Sequence, residues 1–344
     1  MSSKKAVGWL FHIIGITAGI IFVLALIQRS GFEPFLQKIR LASPLGLAAA
    51  LMAYSGSWIF RTWRLRILAG PQGAGVSFFE FFKLHIASFG LNVVLPARLG
   101  DLALIAFLRV KGIKTAQSAA IVLQTRILDL LALLVLAIPL LSFTLGLSSP
   151  FWIASTLAAC LLIVLVIVGI VSLDKKQRIA EVLEKLKTSR PKAVFNAVLD
   201  KLKEAYATYH HMITDGTLFV RTAAASLAIW VSEAVCCYLI ALALSSRIPL
   251  PSVIIALSVA NIGKGIPLTP GGLGIYEGIL SAVLVLFGVP YGTAVVVAVL
   301  DHNLKKVFNL LWGIPVAAGM GMNIRKLTDL AKAWKISPTG SDFR

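Results

Sequence analysis

The chain has 344 residues, of which 58% are hydrophobic and 14% charged. An ordinary soluble domain is about 25% charged. Lys and Arg number 33 against 15 Asp and Glu, a net charge of +18. There is too little polar residue to clothe a soluble basic protein, which argues against a soluble enzyme and against a nucleic-acid binder. The composition implies a polytopic membrane protein with room for about six to eight spans of some 20 apolar residues each.

The first predicted span is Val7–Ile27. It follows Lys4 and Lys5 but is too long for the apolar region of a cleavable signal, and no small-residue cleavage site follows it. An amphipathic loop leads to the second span, Pro44–Leu68, which ends in the basic cluster Arg61, Arg64 and Arg66. Ser77–Leu95 and Gly100–Val110 are two apolar pieces around a break at Pro96. Neither crosses a membrane alone, so together they read as a re-entrant hairpin of broken helix over 77–110. The third span, Ala116–Leu145, carries Gln124, Arg126 and Asp129, and the fourth is Phe151–Leu173.

Asp174–Thr217 is different in kind. It holds nine Lys and Arg and six acids, with apolar residues at helical spacing, and is expected to be a solvated amphipathic connector on the membrane surface. The fifth span, Leu218–Leu244, contains Glu233. A second broken element follows over 252–287, interrupted by Pro270-Gly271-Gly272-Leu273-Gly274. The sixth span, Gly292–Gly319, carries Asp301, His302, Lys305 and Lys306, and a basic tail occupies 321–344. The chain thus reads as one integral membrane domain, 7–173 forming a first half, 174–217 a linker and 218–320 a second half.

Charge sets the expected orientation. With the N-terminus in the cytoplasm, 23 basic residues fall on the cytoplasmic side and four in the outer loops. The positive-inside rule favours that arrangement and puts both termini in the cytoplasm of a cell (inner) membrane.

The two broken elements share an order of features. Both contain Pro-x-x-Leu-Gly, with the prolines 174 residues apart. Each is preceded by an Asn (Asn92, Asn261) and followed by an acid (Asp101, Glu277). Each next span bears bases (Arg126; Lys305, Lys306) with an acid nearby (Asp129, Asp301). Three spans lie between them, so the second hairpin is expected to be inverted relative to the first. Such repeats are typical of secondary transporters. The fold class expected is an all-α membrane protein with about six full spans plus two re-entrant hairpins related as an inverted repeat.

Charged groups inside apolar segments cost on the order of 2.5–3.5 kcal/mol each on insertion scales, so they mark function or pairing. Glycines at a helix break expose backbone N–H groups and let a ligand approach. With bases at the same depth they suit a phosphate-bearing anion. Arg98, Arg126, Lys305, Lys306, Gly271, Gly272, Gly274 and Asn92 are the expected substrate-binding residues. Asp101, Asp129, Glu277 and Asp301 are expected to orient the bases or carry coupling protons. Cys160, Cys236 and Cys237 and the five histidines lack metal-ligand spacing, so no metal or cofactor is expected, and no nucleophile motif stands out.

Asn92-Val93-Val94-Leu95-Pro96-Ala97-Arg98-Leu99-Gly100-Asp101, Arg126-Ile127-Leu128-Asp129 and Pro270-Gly271-Gly272-Leu273-Gly274-Ile275-Tyr276-Glu277-Gly278, with the Arg61–Arg66 cluster, resemble the lysylphosphatidylglycerol synthase transmembrane-region family over about residues 7–325. Ala97 stands where members carry a polar residue or Gly. In bifunctional members this region resembles the part that moves an aminoacylated phospholipid between leaflets, while a separate soluble domain makes the lipid. The resemblance implies a flippase for an anionic phospholipid or a polyprenyl-phosphate-linked headgroup, partnered by the membrane and by a separate lipid-synthesis enzyme. An intramembrane glycosyl- or aminoacyl-transferase acting on lipid-linked substrates is the alternative, with Asp101 or Asp301 as its general base.

Overall fold

The computed structural model describes residues 3–95, 98–144, 193–265 and 269–320. The expected fourth span, the first part of the linker and the tail lie outside the described residues. Eleven α-helices and no strand occur among the described residues. They are α1 (Ser3–Ser30), α2 (Phe32–Arg40), α3 (Pro44–Ala69), α4 (Phe78–Val94), α5 (Leu99–Val110), α6 (Thr115–Thr144), α7 (Ala193–Thr214), α8 (Gly216–Ala243), α9 (Leu250–Gly263), α10 (Ile275–Leu286) and α11 (Tyr291–Gly319). The all-α class expected from the hydropathy is the class observed.

Local chemistry sets several helix starts. The Ser43 hydroxyl accepts from the Gly46 N–H at 3.2 Å and Pro44 opens α3, where its missing N–H costs nothing. Ser77 and Glu80 form a reciprocal capping box on α4. The Glu277 carboxylate accepts from the Gly274 N–H at 2.8 Å at the head of α10.

Three helices among the described residues are long and apolar enough to cross a membrane, with apolar stretches at Ile13–Ser30, Thr115–Leu141 and Gly216–Ala243. Helices α3 and α11 are of similar length but carry charge: Arg61, Arg64 and Arg66 on one, and Asp301, Lys305 and Lys306 on the other. Their outer faces are nonetheless apolar. Met52, Ile59, Leu311 and Trp312 are each more than half exposed, while the charges of these helices lie mostly inside. Apolar surface outside and charge inside is what a lipid solvent selects.

The packing has a regular order. Helix α3 packs along α8; α4 packs on α5 and α11, and α9 packs on α10 and α6; α5 touches α6 as α10 touches α11. Exchanging α3 with α8, α4 with α9, α5 with α10 and α6 with α11 returns the same set of neighbours. Each half-helix pair therefore leans on the long helix that follows the other pair.

The described part of the linker is not merely a solvated connector. In α7, Tyr209, Met212 and Ile213 are buried in the same apolar cluster as Leu65, Phe107 and Ile121. The helix docks on α6 and α8.

The crossing of α4 with α11 depends on two glycines. A Cβ on Gly313 would fall 2.4 Å from the Ile86 carbonyl oxygen and 2.8 Å from Gly90 Cα. Small residues at such crossings let helix backbones meet where lipid provides no hydrophobic drive. Gly313→Val is expected to cost about 1–3 kcal/mol by overpacking. Thermal unfolding in detergent should show a clear fall in Tm for it and little change for Gly56→Ala, whose added Cβ would meet nothing within 4 Å.

Candidate anion site between two broken helices

Both breaks turn through left-handed backbone. In the second, Gly271 and Gly272 have φ of 59° and 70°. In the first, the residue that matches Gly272 is Arg98, with φ of 54° and ψ of 38°. Left-handed backbone costs a residue with a Cβ about 1–2 kcal/mol, so Arg98 is held there against its preference. Its guanidinium Nη2 donates to the Lys264 carbonyl oxygen at 3.4 Å, tying the first break to the second.

The glycines position lysines. A Cβ on Gly272 would fall 2.2 Å from Lys264 Cγ, and one on Gly271 would fall 3.3 Å from Lys306 Cε. The bare turn thus lies between two lysine stems. Lys264 Nζ sits 4.9 Å from the centroid of the Tyr276 ring.

A cavity of about 450 Å³ opens between the breaks. Of the expected binding residues, Arg98, Arg126, Lys305, Lys306, Gly271, Gly272 and Asn92 line it. Gly274 does not: it lies against α1, where an added Cβ would meet the Gly19 carbonyl oxygen at 3.2 Å. Asp129 lines the cavity, while Asp101, Glu277 and Asp301 stand behind it.

Every carboxylate at this depth is engaged. Asp101 accepts from Arg126 through both oxygens, at 2.5 and 3.0 Å, and from Asn92 at 2.8 Å. Asp129 accepts from Arg64 at 2.6 Å and Trp230 at 3.2 Å, with Arg126 at 3.8 Å. Glu233 pairs with Arg61 and, at 3.2 Å, with Lys305. Asp301 pairs with Lys305 at 2.9 Å and accepts from the Tyr276 hydroxyl at 2.5 Å. Glu277 bonds His302 Nδ1 at 2.7 Å.

Two of the 23 bases that the charge count places on the cytoplasmic side, Arg61 and Arg64 at the end of the second span, are buried, at 3% and 1% exposed. Glu233 of α8 pairs with Arg61, and Asp129 of α6 and Ser226 of α8 accept from Arg64, so both guanidiniums turn inward. Phe89 and Trp58 cover Arg61, with its guanidinium 5.1 and 5.7 Å from their ring centroids. Glu233, Lys264, Tyr276 and Tyr54 also line the cavity, although none of them was an expected binding residue. Charge inside an apolar span is a signal for Glu233 and Lys264, and Tyr276 stands in the motif of the second break; nothing in the local pattern distinguishes Tyr54.

Among the described residues the interior therefore holds seven Arg and Lys (Arg61, Arg64, Arg98, Arg126, Lys264, Lys305, Lys306) against five carboxylates. Among the described residues, no carboxylate lies within ion-pair distance of Arg98, Lys264 or Lys306. These three cations face one cavity from the two breaks and α11.

Residues 12–313 match the family described as the lysylphosphatidylglycerol synthase TM region. The chain belongs to that family. As a member of the lysylphosphatidylglycerol synthase transmembrane-region family, with long apolar helices, it is an integral membrane protein. It is also 32% identical over 124 residues to a protein named glycosyltransferase AglD from Haloferax volcanii. That match takes in 34% of this chain and spans only 19% of the relative's length.

Breaking a buried pair costs about 3–5 kcal/mol, because it strands the partner's charge. Arg64→Met, which leaves Asp129 without its nearest cation, is expected to fall in that range. Lys111→Met, which removes a half-exposed pair with Glu80, should cost less than about 1 kcal/mol. Denaturant or thermal unfolding in detergent reads the contrast.

Proposed function

We propose that this protein is a lipid translocase. It moves an anionic phospholipid or a polyprenyl-phosphate-linked headgroup between leaflets by seating the headgroup between the two broken helices. The observation that carries the reading is the trio Arg98, Lys264 and Lys306, three cations around one cavity with no carboxylate partner among the described residues. A phosphate supplies the missing counter-charge, and charge-assisted hydrogen bonds from Arg and Lys are the strong kind.

The acids act as orienters in this reading. Each is bound to a base or a ring donor, so Asp101 fixes Arg126, and Asp301 with Glu233 fixes Lys305. The exchangeable helix packing supports an inverted repeat, which would offer the site to either leaflet in turn. The positive-inside count supports termini in the cytoplasm of an inner membrane. A separate enzyme that makes the lipid is the expected partner.

The relative named as a glycosyltransferase favours one other reading, a transferase acting on lipid-linked substrates within the membrane. That chemistry needs a carboxylate free to take a proton, whereas Asp101 and Asp301 are both committed to cations. Purified protein that releases product from a lipid-linked sugar donor would decide for it.

The test is a fluorescent-lipid flip assay in proteoliposomes. Lys306→Gln and Arg98→Gly are each expected to slow flipping by roughly tenfold or more, the loss of one charge-assisted contact. Arg98→Gly also relieves the left-handed strain, so its Tm should not fall. Unchanged flip rates in both variants would overturn the site.

A further inference from the structure

The proposed translocase reading leaves the headgroup class open, and the charge arrangement narrows it. We infer that the cavity selects a phosphate carrying two negative charges, a monoester or a diphosphate, over a phosphodiester lipid and over an aminoacylated lipid with a cationic head. The inference rests on reading the cavity as a headgroup site and goes beyond it.

Seven cations and five carboxylates among the described residues leave an excess of two positive charges around the cavity. Buried charge needs a counter-charge, because transfer out of water is costly unless the group is paired. A phosphodiester headgroup brings one negative charge and leaves one cation unmatched. A lysyl-bearing headgroup brings an extra amine into a cavity whose carboxylates are all engaged, so it adds to the excess. A terminal phosphate or a diphosphate brings two charges and balances the sum.

The geometry agrees with the count. Lys306 lies against Gly271 and Lys264 against Gly272 of the same turn. Arg98 reaches the Lys264 carbonyl from the facing break, so the third cation closes the same corner. Two ammonium groups and a fork-shaped guanidinium can contact several oxygens of one phosphate at once, and a terminal phosphate has one more free oxygen than a diester. The asparagines at this depth, Asn92 and Asn261, are already hydrogen-bonded to Asp101 and to the Leu257 carbonyl through their amide nitrogens.

The experiment is calorimetric binding to the full-length protein in detergent at pH 8, where a phosphate monoester is a dianion. The probes are dihexanoyl phosphatidate, dihexanoyl phosphatidylglycerol, its lysyl ester, and inorganic phosphate and pyrophosphate. Phosphatidate is expected to bind roughly tenfold or more tighter than phosphatidylglycerol, one extra charge-assisted contact, with the lysyl ester weakest. Lys264→Gln and Lys306→Gln should shrink that preference, and a Tm in detergent no lower than that of the parent protein separates lost selectivity from lost folding. Phosphatidate binding tighter than inorganic phosphate or pyrophosphate assigns the dianion to a lipid head; equal binding assigns it to a free anion. Equal or tighter binding of phosphatidylglycerol or its lysyl ester would overturn the inference. The flip assay reports separately: flipping without monoester preference sinks only this inference, and preference without flipping sinks only the translocase.

Discussion

A charge cannot be left alone in a medium that does not solvate it. That constraint organises this protein. Its lipid-facing residues are apolar, so every ionised group inside must find its partner within the helices. Five carboxylates do so with four of the cations and with His302, and the helices that supply them cross one another in doing it. Glu233 of α8 joins Arg61 of α3 to Lys305 of α11, and Asp129 of α6 holds Arg64 of α3. Removal of Glu233 strands Arg61 and removal of Asp129 strands Arg64, so the pairs specify which helices meet and at what depth. Among the described residues, Arg98, Lys264 and Lys306 are the interior cations that stand outside this scheme.

Much of the fold was legible in the sequence. Hydropathy placed α1, α3, α6, α8 and α11 to within a few residues, because apolar run length is nearly a direct reading of a helix in lipid. The breaks were legible because Pro and Gly interrupt runs that otherwise continue. The conformational match between Arg98 and Gly272 was not, since an arginine gives no local sign that its backbone will turn left-handed. Arg61 and Arg64 were misplaced for a different reason. A basic cluster at the end of a span is the usual mark of a cytoplasmic boundary, and only the approach of Glu233 and Asp129 from distant helices shows that it lies inside. Long-range pairing of this kind has no signature at the scale of one segment.

The site shows the same division. Asn92 and Arg98 of the first break and Gly271 and Gly272 of the second line one cavity, while Gly274, Asp101 and Glu277 do not, and Tyr54, Glu233 and Lys264, which no motif marked, complete it. Lys264 is the clearest case. It lies a few residues before the Pro-Gly-Gly turn, and its importance comes from its stem lying on a glycine that is next to it in space.

That contact has a consequence for how such sequences can vary. Gly271 and Gly272 serve less as hinges than as gaps shaped to admit Lys306 and Lys264. A side chain at 272 would push out the Lys264 stem, and one at 271 would crowd Lys306. The pairs 271 with 306 and 272 with 264 are therefore bound to change together in descendants of this chain. A lineage that gave up either lysine would keep only the left-handed backbone's preference for glycine there, and a lineage that lost Gly272 could not keep the Lys264 stem in place.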